Sequence, residues 1–390
     1  MALVIKGSSS GQITVDVPAA AGTNTVTIPA GTGNLPLSNL DHVTNRPNAQ
    51  PILYNGDMQI TQRATSKTGI TGTTMEVQDR WSDVMGGAGT WTQSSDTDVP
   101  TGQGFTKSMK WDCTTARTLE AGSIFYIRQT IEAQDLQLLK FGSSSAETLT
   151  LCFWLKSPKA GTHIAQLYGA DDNRSVSKAY TVSSANTWEK HIINFPADTV
   201  GVIDNDNGYG MGLQLWFLAG TTYSSGTLNT TWNTYANADA GVGQVDCADS
   251  TDNNILLTGV QLEVGTYTSS TVPSFQHESS GNSLLRCQRF FQKYTQPPLI
   301  GIANAGNTVA RAKMMLQTQM RTAPSAVHNG TFSWFYSNSH QPTTTAFSAT
   351  YLDENVVEFD ATMNVSGMTA SMPVNCMQSG TASLDLSAEI

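Results

Sequence analysis

Between Ile52 and Phe275 the chain repeats one device. Short apolar runs, such as 124–127, 149–155, 191–195, 211–217 and 255–262, alternate with stretches of Gly, Asn, Asp, Ser and Thr. Runs of this length, bounded by turn-forming residues and rich in aromatic and β-branched side chains, are strands. Many such strands in a row fold as a sandwich or barrel, so a jelly roll over residues 51–276 is expected. Composition points the same way. Only 13% of residues are charged, against about a quarter in an average soluble domain. Ser and Thr make up roughly a fifth of the chain, well above average usage. A surface of hydroxyls and amides suits strands and turns and argues against a helical bundle or coiled coil.

The flanking segments read differently. Residues 1–50 hold no Phe, Trp or Tyr, and such a segment cannot bury enough apolar area to fold alone. Residues 12–17 and 24–28 each alternate apolar and polar positions around Pro18 to Gly22, which predicts a hairpin that needs a partner to complete its core. Residues 277–295 place Leu284, Cys287, Phe290, Phe291 and Tyr294 at helical spacing, with Ser279 or Ser280 as cap and Pro297–Pro298 as stop, predicting a linking helix. Strand patterning returns in 296–390, at 309–316, 332–336, 355–359 and 383–390, predicting a small C-terminal β-sandwich.

Several functions are excluded. With 21 Lys+Arg against 31 Asp+Glu and a net charge of −10, no basic field exists for nucleic acid. No run of 18 apolar residues is present, so no membrane insertion is expected. The first residues lack the positive flank of a signal peptide. Five widely spaced cysteines without a CxxC read as reduced thiols. No two of the six histidines have zinc-site spacing. Gly7 to Gly11 reads GxSxG, but no strand–helix context surrounds it, so it reads as a linker. Glu120, Glu132 and Glu147 offer acids that nothing pairs, and no enzyme activity is expected.

Two constellations remain. Asp204 and Asp206 alternate in an Asn- and Gly-rich loop that would suit calcium, although turns of this composition form without metal. No other cofactor is implied. Aromatic residues beside polar loops, namely Trp91, Trp111, Tyr209, Tyr223, Trp232 and Tyr235, either fill the sandwich core or make saccharide platforms. The stretch from Tyr209 to Tyr235 is the strongest candidate. There Tyr223, Trp232 and Tyr235 stand close to Asn229, Asn233 and Asn237.

A set of motifs in fixed order carries a resemblance. Asn55-Gly-Asp-Met-Gln-Ile-Thr-Gln-Arg63, Asp79-Arg-Trp81, Tyr126-Ile-Arg-Gln129, residues 151–157, 259–265 and 285–294, Met320 to Pro324 and 387–390 together resemble a domain of bacteriophage tail-fibre proteins of marine-phage type. Met58 departs from the Phe often found there. The resemblance implies a carbohydrate-binding-module-like jelly roll, a homotrimer, and structural roles for Asp79, Arg80, Trp81, Gln129, Gln261 and Arg289. It implies a virion protein, a short tail fibre or spike. Residues 1–50 would attach it to other virion proteins, and host cell-surface polysaccharide would be its ligand. The alternatives are a capsid or head fibre, a decoration protein or another tail component without receptor role, and a polysaccharide depolymerase.

Overall fold

A computed structural model describes residues 3–6, 12–15, 50–304, 308–335, 343–364, 368–377 and 382–390. The chain divides into two units, Met1–Arg46 and Pro47–Ile390. In the first, the strand Gln12–Val15 pairs antiparallel with Leu3–Lys6. The expected strand at 12–17 is therefore present, but it takes the apolar run before it as partner. The expected partner at 24–28, the turn at 18–22, the Gly7 to Gly11 stretch and His42 lie outside the described residues, as do Tyr336 and His340.

The second unit is mainly β. Two six-stranded antiparallel sheets form the jelly roll. One runs, edge to edge, Asn233–Thr234, Arg174–Val182, Gly161–Gly169, Tyr209–Ala219, Ile124–Glu132 and Ser82–Gly86. The other runs Trp188–Phe195, Leu149–Lys156, Asn254–Val264, Ser108–Thr115, Thr90–Asp96 and Ser66–Ile70. The chain crosses repeatedly between them, so residues distant in sequence share one core. That core holds Trp91, Trp111, Phe125, Phe153, Phe195 and Phe217, all essentially without solvent exposure. Strand alternation produces it: Phe125, Ile127 and Ile131 face inward, while Tyr126 and Arg128 between them stay partly exposed.

The linking helix is shorter than its apolar spacing predicts. It spans Ser280–Gln288, with the Ser279 hydroxyl accepting the Asn282 N–H at 3.3 Å. Phe291–Tyr294 is a strand paired with Ser383–Ser387. The spacing of Phe290 and Tyr294 fits either period, and the pairing offered by a segment some 90 residues later decides it. A second core, with Phe332, Trp334, Phe359, Leu384 and Leu386, lies between a three-stranded and a six-stranded sheet of the C-terminal sandwich.

The ordered motifs converge on one buried junction. Asn55 accepts the Ile60 N–H and donates to the Ile60 and Asp79 carbonyls, and Trp81 Nε1 donates to the Asn55 carbonyl at 3.1 Å. Gln129 exchanges two hydrogen bonds with the Tyr54 backbone. Asp79, Arg80, Trp81, Gln129 and Gln261 are buried. Arg289 is partly exposed and grips buried Glu132 through two 2.8 Å bonds. Gly56 closes the turn: its carbonyl accepts the Val260 N–H at 2.9 Å, and a Cβ there would collide with the Val260 carbonyl oxygen. Gly56→Ala should therefore destabilise the unit by about 2 kcal/mol or more, read by denaturant melting. An unchanged midpoint would show that the close Gly56–Val260 contact is not needed.

Candidate functional site

On the sheet containing Tyr209–Ala219, the face turned away from the main core carries a polar row. Register sets Ser177 beside Gln166, Gln166 beside Gln214, Gln214 beside Arg128, and Arg128 beside Ser82. Five strands thus contribute one residue each. Tyrosines flank the row on both sides. On one side Tyr126 packs on Trp216 at 4.7 Å between ring centroids, and Trp216 on Tyr223 at 5.9 Å. On the other, Tyr168 meets Tyr235 at 5.3 Å and Tyr209 at 6.1 Å. Glycine is required at 212, since a Cβ there would collide with the Tyr209 hydroxyl. The loop after Ala219 brings Tyr223 and Tyr235 over this face, where they join Ile164, Trp216 and Ala240 in a small satellite cluster.

The five tyrosines remain partly exposed, while Gln166, Gln214 and Trp216 beneath them are buried. Burial pushes the Tyr235 hydroxyl up to about 12, and Tyr126, Tyr223 and Tyr168 nearby reinforce the rise. Burial also raises Tyr126 and Tyr209, with Arg128 opposing both shifts. All three therefore stay protonated donors at neutral pH. The Arg128 guanidinium lies 5.7 Å from the Tyr209 ring centroid. Gln166 donates to Ser177 Oγ at 2.9 Å, but its Oε1 is buried without a partner, as are Trp216 Nε1 and Arg128 Nε. Aromatic faces, amides and a planar cation in one row suit a saccharide, which presents apolar C–H faces and bidentate hydroxyl pairs.

The residues named from sequence fall in different places. Tyr209, Tyr223 and Tyr235 meet on this face. Trp232 does not: it is 8% exposed, belongs to the main core against Phe141, and donates to the Pro196 carbonyl at 2.8 Å. It offers no platform, and neither do Trp91 and Trp111, which are fully buried within strands. Asn229 and Asn233 serve the backbone of the covering loop. The Asn229 carbonyl accepts the Ser177 N–H, and the Asn233 side chain bonds Thr231. Tyr126, Tyr168, Arg128, Gln166 and Gln214 were not singled out as binding residues from sequence. Tyr126-Ile-Arg128 shows the one available signal, two large polar-tipped side chains at strand period.

Asp204 and Asp206 are exposed and organise turns: the Asp204 N–H donates to Asp171, and Asp206 accepts from Gly208. Among the described residues no group of three or more His, Cys, Asp or Glu is placed to hold a metal ion. These two carboxylates therefore gain no third acidic ligand. Of the acids considered for catalysis, Glu132 is held by Arg289, Glu147 by Lys140 at 2.6 Å, and Glu120 is exposed before Ile124–Glu132. The cysteines are not joined in disulfides, and burial raises the thiols of Cys113 and Cys152 to about 11 and of Cys247 and Cys376 to about 12, with Cys287 also raised. None is an activated nucleophile. No helix among the described residues is long and apolar enough to cross a membrane.

No protein-family model and no curated protein matches the chain. Among solved structures it is similar to the enzymatically active domain of tailspike protein 4 of bacteriophage CBA120, with 14% identity over 55% of this chain and a TM-score of 0.27. The match spans 21% of the tailspike chain. It is also similar to TmCBM61 in complex with β-1,4-galactotriose, at 9% identity over 55% of this chain and 99% of that one, TM-score 0.26. A third is the family 11 carbohydrate-binding module of a Clostridium thermocellum cellulase, at 15% identity over 51% of this chain and 99% of that one, TM-score 0.24. The chain is thus similar to carbohydrate-binding modules and to a phage tailspike domain, while the tail-fibre resemblance rests on the ordered motifs.

Proposed function

We propose that the chain is a non-enzymatic structural protein of a phage virion, a short tail fibre or spike that binds host-surface polysaccharide. In this reading it works as a homotrimer, and residues 1–50 join it to other virion proteins. One observation carries the glycan part: the cross-strand row of Gln166, Gln214 and Arg128 lies between Tyr126, Trp216 and Tyr223 on one side and Tyr168, Tyr209 and Tyr235 on the other. Three chains would make weak contacts additive through avidity. The virion assignment is supported by the order of the motifs along the chain. The ion-paired or scattered placement of the candidate acids supports a binding role over hydrolysis.

The test is a glycan array probed with the purified chain, followed by titration of the best ligand. Tyr168→Ala, at the rim of the face, should weaken binding roughly tenfold while leaving the melting temperature near that of the parent. Binding unaffected by Tyr168→Ala would remove the site from this face. Release of reducing ends from the bound polysaccharide would overturn the non-enzymatic assignment.

A further inference from the structure

Among the described residues, the arginines follow a rule with one unexplained exception. Arg63, Arg80, Arg117, Arg174, Arg286, Arg289 and Arg311 each hold a carboxylate. Arg321 instead donates to the backbone carbonyls of Asn207, Ala388 and Glu389. Arg128 has neither arrangement among the described residues. Its Nε is buried without a partner, its guanidinium lies 5.7 Å from the Tyr209 ring centroid, and its cross-strand neighbours are Gln214 and Ser82, both uncharged. An arginine held partly out of water with no counter-ion is costly unless something supplies one. Here it stands fourth of the five residues in the polar row, between the two tyrosine groups.

We infer that the ligand of this face carries an acidic group, a uronic acid or other carboxylated sugar, whose carboxylate is gripped by the Arg128 guanidinium. The inference rests on the glycan reading above and sharpens it. A guanidinium fork matches a carboxylate with two parallel hydrogen bonds, a geometry that a neutral hydroxyl pair meets only without the charge. The sugar ring itself stacks against the flanking tyrosines. The chain's net charge of −10 does not oppose this, because exposed charges are screened beyond about 8 Å at physiological salt. Recognition by Arg128 is a contact effect and does not depend on long-range steering.

The probes are an oligogalacturonate and the same oligosaccharide after carboxyl reduction, titrated into the full chain by calorimetry alongside an array of neutral glycans. The acidic probe should bind, and its reduced counterpart should bind roughly tenfold more weakly or worse. Arg128→Met, which keeps the apolar stem, should abolish that preference. Arg128→Lys, which keeps the charge and loses the fork, should recover only part of it. Equal or tighter binding of reduced or neutral glycans, with Arg128→Met without effect, would overturn the acidic-ligand inference and leave the glycan reading standing. Absence of binding to every probe, in a protein whose melting shows it folded, would overturn both.

Discussion

Glu389→Ala is expected to destabilise the Pro47–Ile390 unit by about 3–5 kcal/mol, the usual cost of leaving a buried charge without its partner. Arg80 is 0% exposed, and its guanidinium lies 3.5 Å from the Phe290 ring centroid. One of its nitrogens donates to the Thr130 carbonyl at 2.8 Å, and another pairs with the Glu389 carboxylate. The same carboxylate takes Arg63 at 2.8 Å. Glu389 follows the strand Ser383–Ser387 of the C-terminal sandwich, whereas Arg63 and Arg80 belong to the jelly-roll side. One side chain thus ties together segments more than 300 residues apart. Thermal and denaturant melting of Glu389→Ala gives the cost. The pair variant Arg80→Met/Glu389→Leu should recover most of the loss, since it removes the buried charge along with its partner. A single variant within about 0.5 kcal/mol of the parent would show that the ion pair carries no stability.

Asp83→Asn should change the pH dependence of stability more than any other single substitution. Asp83 is buried on the strand Ser82–Gly86, where Trp111 Nε1 donates to its Oδ1 at 2.8 Å and its Oδ2 has no partner. Burial raises its pKa to about 7, with the Trp111 bond opposing the rise. A carboxyl with a raised folded pKa binds its proton more tightly in the native state than in the unfolded chain. Its contribution to stability is then greatest at low pH and falls as pH rises from about 4 to about 7. Between pH 5 and 8 that loss amounts to about 2–3 kcal/mol. Buried Asp79, raised to about 6 by the same cause against the pull of Arg63, slopes in the same direction. His191 slopes the opposite way. Burial lowers it to about 4, so its protonation costs stability as pH falls below 6.5. The difference between parent and variant isolates Asp83. Asp83→Asn should gain on the parent by about 2–3 kcal/mol between pH 5 and 8. A difference that does not vary with pH would mean that Asp83 is ionised throughout.

The resemblance motifs show how sequence and structure divide the work. Asn55, Gly56, Asp79, Arg80 and Trp81 are legible as a set because each has a side chain or backbone role that few substitutes can fill, and the structure gathers all of them at one junction. The candidate site is only partly legible. Tyr209, Tyr223 and Tyr235 lie within one stretch of sequence, and their enrichment with Asn marks them. Tyr126, Arg128, Gln166 and Tyr168 come from strands far from that stretch, and only antiparallel register brings them beside it. Trp232 shows the converse. It shares its loop and composition with Tyr223 and Tyr235, but it turns inward to fill a gap beside Phe141.

By itself the sequence determined what short-range physics determines: strands from period-two runs, turns from Gly, Asn and Asp, a jelly roll from their number, and a first segment too poor in aromatics for a core of its own. Three matters were left to tertiary contacts. The strand Gln12–Val15 found its partner upstream at Leu3–Lys6, and Phe291–Tyr294 became a strand because Ser383–Ser387 was there to pair with it. Which aromatics face outward was settled by the two-residue alternation together with the loop that covers one sheet. And Arg128 became the unpaired cation of the site because register placed Gln214 and Ser82, and no carboxylate, at its sides. Apart from the nearby Leu3–Lys6, these outcomes depend on neighbours distant in the chain, and composition and local period hold no information about such neighbours.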